Sequence, residues 1–151
     1  MAGMQLDSFF PYRLSVLADA VSRSIAEVYA ERFDLGRDEW RVLAALADAA
    51  MLRTAAVSER TTLDKVAVSR ALVRLEGRGL VERRTDPEDG RGYLIRLRPA
   101  GRVLLGKLTP MVREREAFLL GGLDEAERRA LDSALDKVLE RARRLADREN
   151  A

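Results

Sequence analysis

The chain has 151 residues, 34% of them charged, a formal net charge of +2, and neither cysteine nor histidine. The missing thiols exclude disulfides, thiolate metal centres, cysteine nucleophiles and thiol redox sensing. The missing imidazoles remove the commonest metal ligand and the usual general base near neutral pH. Its basic isoelectric point is weak evidence for a nucleic-acid partner, because almost nothing titrates between the carboxylates and the lysines. Where the charge sits is more telling. Between Arg60 and Arg102 there are eleven basic and six acidic residues, an excess of five, so the remainder of the chain is net negative.

The first predicted element runs from Ser8 to about Phe33, where Phe10, Leu14, Leu17, Val21, Ile25 and Val28 recur at steps of three and four, the mark of an amphipathic helix. A second helix is expected over Asp38 to Ala50, with Trp40, Leu43, Leu46 and Ala47 on one stripe and Asp38 and Glu39 in its first turn. A short helix over Thr54 to Arg60 leads through a tight turn to Asp64, whose carboxylate suits an N-cap. The helix that Asp64 opens continues to Arg78 and stops at Gly79, a residue that accepts the left-handed C-cap.

Two strands follow, Leu80 to Thr85 and Tyr93 to Arg98, joined by a seven-residue polar turn over Asp86 to Gly92. From Pro99 the pattern is helical again, with a bend expected at Pro110 and a break at Gly121-Gly122. Asp124 and Glu127 form an Asp version of a capping box for the last helix, which carries Leu131, Leu135, Val138, Ala142 and Leu145 on a narrow seam. No stretch is apolar enough to span a bilayer, the first residues lack the charge pattern of a secretory signal, and a cytoplasmic location is expected.

The helix from Asp64 to Arg78 concentrates the functional signal. At 100° per residue, Val68, Ala71, Leu72 and Leu75 share one arc, while Val66, Ser69, Arg70, Val73 and Arg74 occupy the opposite arc with Lys65 at its edge. A face of two guanidinium groups, a hydroxyl and two valines fits a DNA major groove. Arg bridges the two acceptors of guanine, Ser bonds a base or phosphate, and apolar groups meet thymine methyls. A solvated helix face is the plain alternative. In the hairpin tip, Arg91 between two glycines is placed to enter a minor groove, and Asp89 to bond the loop backbone or steady Arg91. An ordinary solvent-exposed turn is the alternative there.

The run Asp64-Lys65-Val66-Ala67-Val68-Ser69-Arg70-Ala71-Leu72-Val73-Arg74-Leu75-Glu76-Gly77-Arg78-Gly79-Leu80-Val81-Glu82-Arg83-Arg84 resembles the recognition helix and first wing strand of MarR-type regulators. Asp86-Pro87-Glu88-Asp89-Gly90-Arg91-Gly92 resembles their wing, with its Asp-x-Arg signature at Asp89 and Arg91, and Leu97-Arg98-Pro99-Ala100-Gly101 resembles their step into the next helix. Leu35 to Leu46 is similar to the family's second helix. The order of elements matches over residues 8 to 147, and the match is specific over 64 to 101. Two departures stand out: Arg98 replaces a usual helix-capping Thr, and the lack of cysteine excludes the peroxide-sensing branch.

The resemblance implies a mainly α (α+β) fold, a winged helix-turn-helix with N- and C-terminal helices forming a dimerisation region. Residues 1–151 are expected to form a single domain, with 8–33 and 103–147 as dimerisation helices and 36–101 as the DNA-binding lobe. It implies a homodimer on double-stranded DNA, a pseudo-palindromic operator, and a repressor released by a small anionic or aromatic ligand, an aromatic acid or related anion. Tyr12, Arg13, Trp40 and Arg41 combine rings with cations near the helix junctions and are the candidate ligand residues. No metal, cofactor or catalytic group is expected. A winged-helix interaction module that does not bind DNA is the competing reading, opposed by the local positive charge. An enzyme is disfavoured by the lack of His, Cys and any phosphate-binding Gly loop.

Overall fold

The computed structural model describes Gly3 and residues 5–150. The chain divides into two compact units, Met1–Arg113 and Glu114–Ala151. In the first, a single turn of 3-10 helix over Leu6–Ser8 precedes α1 (Phe10–Phe33), α2 (Arg37–Leu46), β1 (Leu52–Arg53), α3 (Thr54–Thr61), α4 (Lys65–Gly77), β2 (Val81–Thr85) and β3 (Tyr93–Leu97). The helix α5 (Pro99–Leu120) begins in the first unit and ends in the second, which also holds α6 (Glu125–Glu149). The strands form an antiparallel sheet in the order β1-β3-β2, with Val81 opposite Leu97, Arg83 opposite Ile95 and Leu52 opposite Ile95 on its other side. A helix-turn-helix, α3–α4, followed by the β2–β3 hairpin makes this a winged helix-turn-helix.

The core of the first unit is the meeting of three apolar stripes. Val42, Leu43 and Leu46 of α2 close on Val68, Leu72 and Leu75 of α4, and Val81, Ile95 and Leu97 cover them from the sheet. All nine are essentially removed from water, and each such aliphatic side chain contributes roughly 1.5–3 kcal/mol through the hydrophobic effect.

The local signals for α4 hold. Asp64 Oδ1 accepts from the Ala67 N–H at 2.8 Å, and Gly79 takes φ +69° just past the helix end. In the second unit the Asp124–Glu127 capping box is complete, with reciprocal bonds of 2.8 and 2.9 Å. Gly121-Gly122 lies in the turn between α5 and α6, and α5 continues as one helix through Pro110.

Two expectations need correction. The second helix stops at Leu46 instead of Ala50, because the chain must turn there to bring Leu52 and Arg53 alongside β3. Tertiary pairing overrides the helix preference of the alanines. The strand β1 was not foreseen: at two residues it has no alternation to detect, and it is defined by its partner.

The approach of α5 to the sheet is very close. The Leu80 carbonyl accepts from the Arg98 N–H at 2.9 Å, and a Cβ on Gly101 would overlap that same carbonyl oxygen. Backbone cannot yield as a flexible side chain does. Gly101→Ala is therefore expected to destabilise the protein by about 1–3 kcal/mol in urea unfolding, the range for overpacking. An unchanged midpoint would show that the two backbones separate freely.

Candidate nucleic-acid interface and effector cavity

Burial of Val68, Ala71, Leu72 and Leu75 fixes the rotation of α4, so its other face must point to water. Lys65, Val66, Ser69, Arg70, Val73 and Arg74 are all exposed there. The structure thus brings all six predicted helix residues onto one surface. Val66 and Val73 remain 59% and 56% exposed, an apolar component that a merely solvated face has no need of. Arg74 differs from its neighbours, since its Nη1 donates to Oε1 of Glu39 in α2 at 3.3 Å.

The wing presents Arg91 in solvent at its tip, and Asp89 organises the loop beneath it. Asp89 Oδ1 accepts from the Arg91 N–H at 3.1 Å, and its carbonyl accepts from the Gly92 N–H at 2.9 Å. Of the two roles considered for Asp89, bonding the loop backbone is the one observed. The base of the wing is held by residues that sequence reading missed. Asp86, only 3% exposed, accepts from the Glu88 N–H at 2.9 Å and pairs with Arg53 Nε at 3.0 Å, while Arg53 also pairs with Glu88. Arg53 and Asp86 lie far apart in sequence, so no local pattern marks them.

A second tie joins the wing to α4. Glu76 accepts from both the backbone N–H and the Nε of Arg83, at 3.1 and 2.8 Å, and the Arg83 guanidinium lies 5.1 Å from the centre of the Tyr93 ring. On the outer face of the hairpin, Glu82 bonds Arg96 and pairs with Arg84. The hydrogen bond from Arg96 holds the Glu82 carboxyl below its ordinary range, against the opposing effect of desolvation. Asp86→Ala is expected to loosen the wing. Amide hydrogen exchange should accelerate at Glu88 and Gly92 while α4 stays protected, and equal protection in both proteins would show that Asp86 is not the anchor.

The predicted effector residues separate into two places. Trp40 and Arg41 line a cavity of about 130 Å³ at the α1–α2 junction, together with Val21, Ser22, Ile25, Tyr29 and Arg37. Tyr29 stacks on Trp40, with ring centres 5.7 Å apart. Burial raises the Tyr29 phenol above its usual value, an effect that Arg37 and Arg41 oppose. Tyr12 and Arg13 do not line it. They are exposed on the first turn of α1, about 15 Å along the helix from Ser22. Arg37 was not foreseen as a cavity residue. Among the described residues, no cluster of acidic side chains suited to a metal is found, and no helix is long and apolar enough to cross a membrane.

A family model described as the MarR family matches residues 33–92, the segment that carries α2, the helix-turn-helix, β2 and the wing loop. The regulator from Acinetobacter sp. ADP1, of the MarR/EmrR family, superposes with a TM-score of 0.84 at 29% identity, over 93% of this chain and 99% of that one. The chain is similar to MarR-family regulators over most of its length. Bordetella bronchiseptica BpsR, whose DNA binding is regulated by 6-hydroxynicotinic acid, superposes with a TM-score of 0.80 at 26% identity, over 91% of this chain and 97% of that one. In sequence, the HTH-type transcriptional regulator YdgJ of Bacillus subtilis is 34% identical over 85 residues, 54% of this chain. The chain matches half of that relative's length. MarR-family relatives are transcriptional regulators and not enzymes.

Proposed function

We propose that this chain is a MarR-family, cytoplasmic repressor that binds a pseudo-palindromic operator as a homodimer and is released by a small aromatic acid or related anion. The observation that carries DNA binding is the exposed row Lys65, Val66, Ser69, Arg70, Val73 and Arg74 on a helix whose opposite face is locked in the core. Arg70, near the start of α4, is suited to a guanine edge, and Arg91 at the wing tip to an adjacent minor groove. Asp89 shapes the loop that carries Arg91. Dimerisation is supported by apolar side chains left in water: Phe10, Leu14 and Leu17 on α1, and Leu135, Val138 and Leu145 on α6. Such surface calls for a partner, and a second copy supplies the matching seam.

The parent protein is expected to bind its own upstream region in a gel shift, with affinity falling steeply as salt rises, since each neutralised phosphate releases counterions. Arg70→Ala should weaken specific binding by about 1–3 kcal/mol and relax one base position, whereas Arg91→Ala should weaken it with less change in sequence preference. Parent-like binding by both variants would remove these assignments.

The effector reading rests on the cavity, where the Tyr29–Trp40 stack lies beside Arg37 and Arg41. Rings that stack and guanidinium groups that pair suit an aromatic carboxylate. A ligand that favours one spacing of the two DNA-binding lobes draws the population away from the DNA-competent spacing. The action of 6-hydroxynicotinic acid on BpsR supports the choice of chemistry. In a thermal-shift screen, an aromatic carboxylate at 100 times its Kd should stabilise the parent by about 2.7 kcal/mol and lose that effect in Arg41→Ala. Equal stabilisation of both proteins would move the site elsewhere.

A further inference from the structure

Glu39 is a carboxylate in an unusual position, with a side chain only 8% exposed in an element that borders the DNA-facing helix. Its Oε2 accepts from the Gly36 N–H at 3.3 Å, which caps α2, and its Oε1 accepts from Arg74 Nη1 at 3.3 Å. Gly36 has no side chain to complete a reciprocal capping box, so the one Glu39 carboxylate serves two donors, the Gly36 N–H and Arg74. Arg74 itself remains 69% exposed and keeps free donors on its outer edge. It follows Arg70 by four residues on α4, where two like charges repel, and the Glu39 charge offsets that repulsion.

We propose that Glu39 is a positioning residue of the DNA-binding surface. By holding one edge of the Arg74 guanidinium against α2, it presents the other edge to a DNA phosphate at a fixed distance from the base-reading Arg70. Arg74 then sets the register of α4 in the groove and does not read sequence. Recognition helices contact base edges through their N-terminal residues, and Arg74 sits in the C-terminal half of α4, beside another helix. A guanidinium pinned by a buried carboxylate loses little further freedom on binding, whereas a free one must be ordered by the DNA itself.

This inference rests on the DNA-binding reading above, and the test keeps the two apart. Binding is measured for the parent, Arg74→Ala, Glu39→Gln and the double variant. The probes are a 30-base-pair duplex selected by the parent from a random pool, and an unselected duplex of the same length. Gln at position 39 keeps an acceptor for the Gly36 N–H but removes the charge, and thermal melting checks that each variant is folded. Arg74→Ala should weaken binding to both duplexes by the same factor and reduce the slope of log K against log salt by about 1. Glu39→Gln should cost about three- to tenfold in the parent and less than about twofold when Arg74 is already absent, a non-additivity expected of directly coupled groups.

An equal loss from Glu39→Gln in both backgrounds would overturn the proposal, since Glu39 would then act only through the scaffold. Tighter binding by Glu39→Gln would overturn it as well, because Glu39 would merely neutralise Arg74. A loss in Arg74→Ala confined to the selected duplex would make Arg74 a base reader. Should the parent bind neither duplex, the DNA-binding reading itself fails, and with it this inference. Arg74→Lys gives a further arm: a point charge still meets a phosphate but cannot share its edges between carboxylate and phosphate, so the dependence on Glu39 should shrink.

Discussion

The surface proposed to meet DNA depends on the burial of one side of α4. Val68, Ala71, Leu72 and Leu75 are removed from water by α2 and the sheet, and that contact sets the rotation of the helix. An α-helix has no independent way to choose which face it shows to solvent. Hydrophobic burial chooses here, and the polar row on the other side follows with no further instruction. Turning α4 by one residue would push a charged or polar group into the core, at a cost of several kcal/mol. The exposed face is therefore as well specified as the buried one.

Around that helix, polar ties hold the parts that burial alone would leave loose. Arg78 donates to the carbonyls of Asp34 and Phe33 at 2.8 and 2.9 Å, joining the end of α4 to the end of α1. Glu76 holds Arg83 of the wing, and Asp86 holds Arg53. Arg60 bonds the Ala45 carbonyl in the last turn of α2 and Asp48 just beyond it. Each tie pairs an arginine with a fixed acceptor, using the planar fork that lysine lacks. The chain thus spends much of its local basic excess on architecture. Arg70 and Arg91 are the clearest exceptions, exposed at the helix face and at the wing tip. This is why regional charge could single out a segment but could not say which of its cations face outward.

The sequence was most informative where causes are local. Asp64 and its partner Ala67, Gly79 past the helix end, and the Asp124–Glu127 box lie within a turn of what they stabilise, so spacing reveals them. The apolar periodicity of α4 is local as well. The strand β1, the Arg53–Asp86 pair and the Glu39–Arg74 pair were not legible, because each joins residues distant along the chain that only folding brings together. The cavity at α1–α2 was half legible. Trp40 and Arg41 were recognised by chemistry, but Tyr12 and Arg13 were grouped with them although helical rise carries them far along α1. Nothing in the sequence marked Arg37 as a cavity residue.

The contact of Gly101 with the Leu80 carbonyl has a mechanical meaning. With no side chain between them, the first turn of α5 and the residue just before β2 touch backbone to backbone, and the Arg98 N–H bonds the same oxygen. Such a junction has no soft layer to absorb shear, unlike two helices separated by leucines that can change rotamer. The first turn of α5 therefore cannot close on the sheet any further without displacing the Leu80 backbone that leads into β2. The start of the wing is thereby tied to the first turn of α5 at a glycine that leaves no room for a side chain.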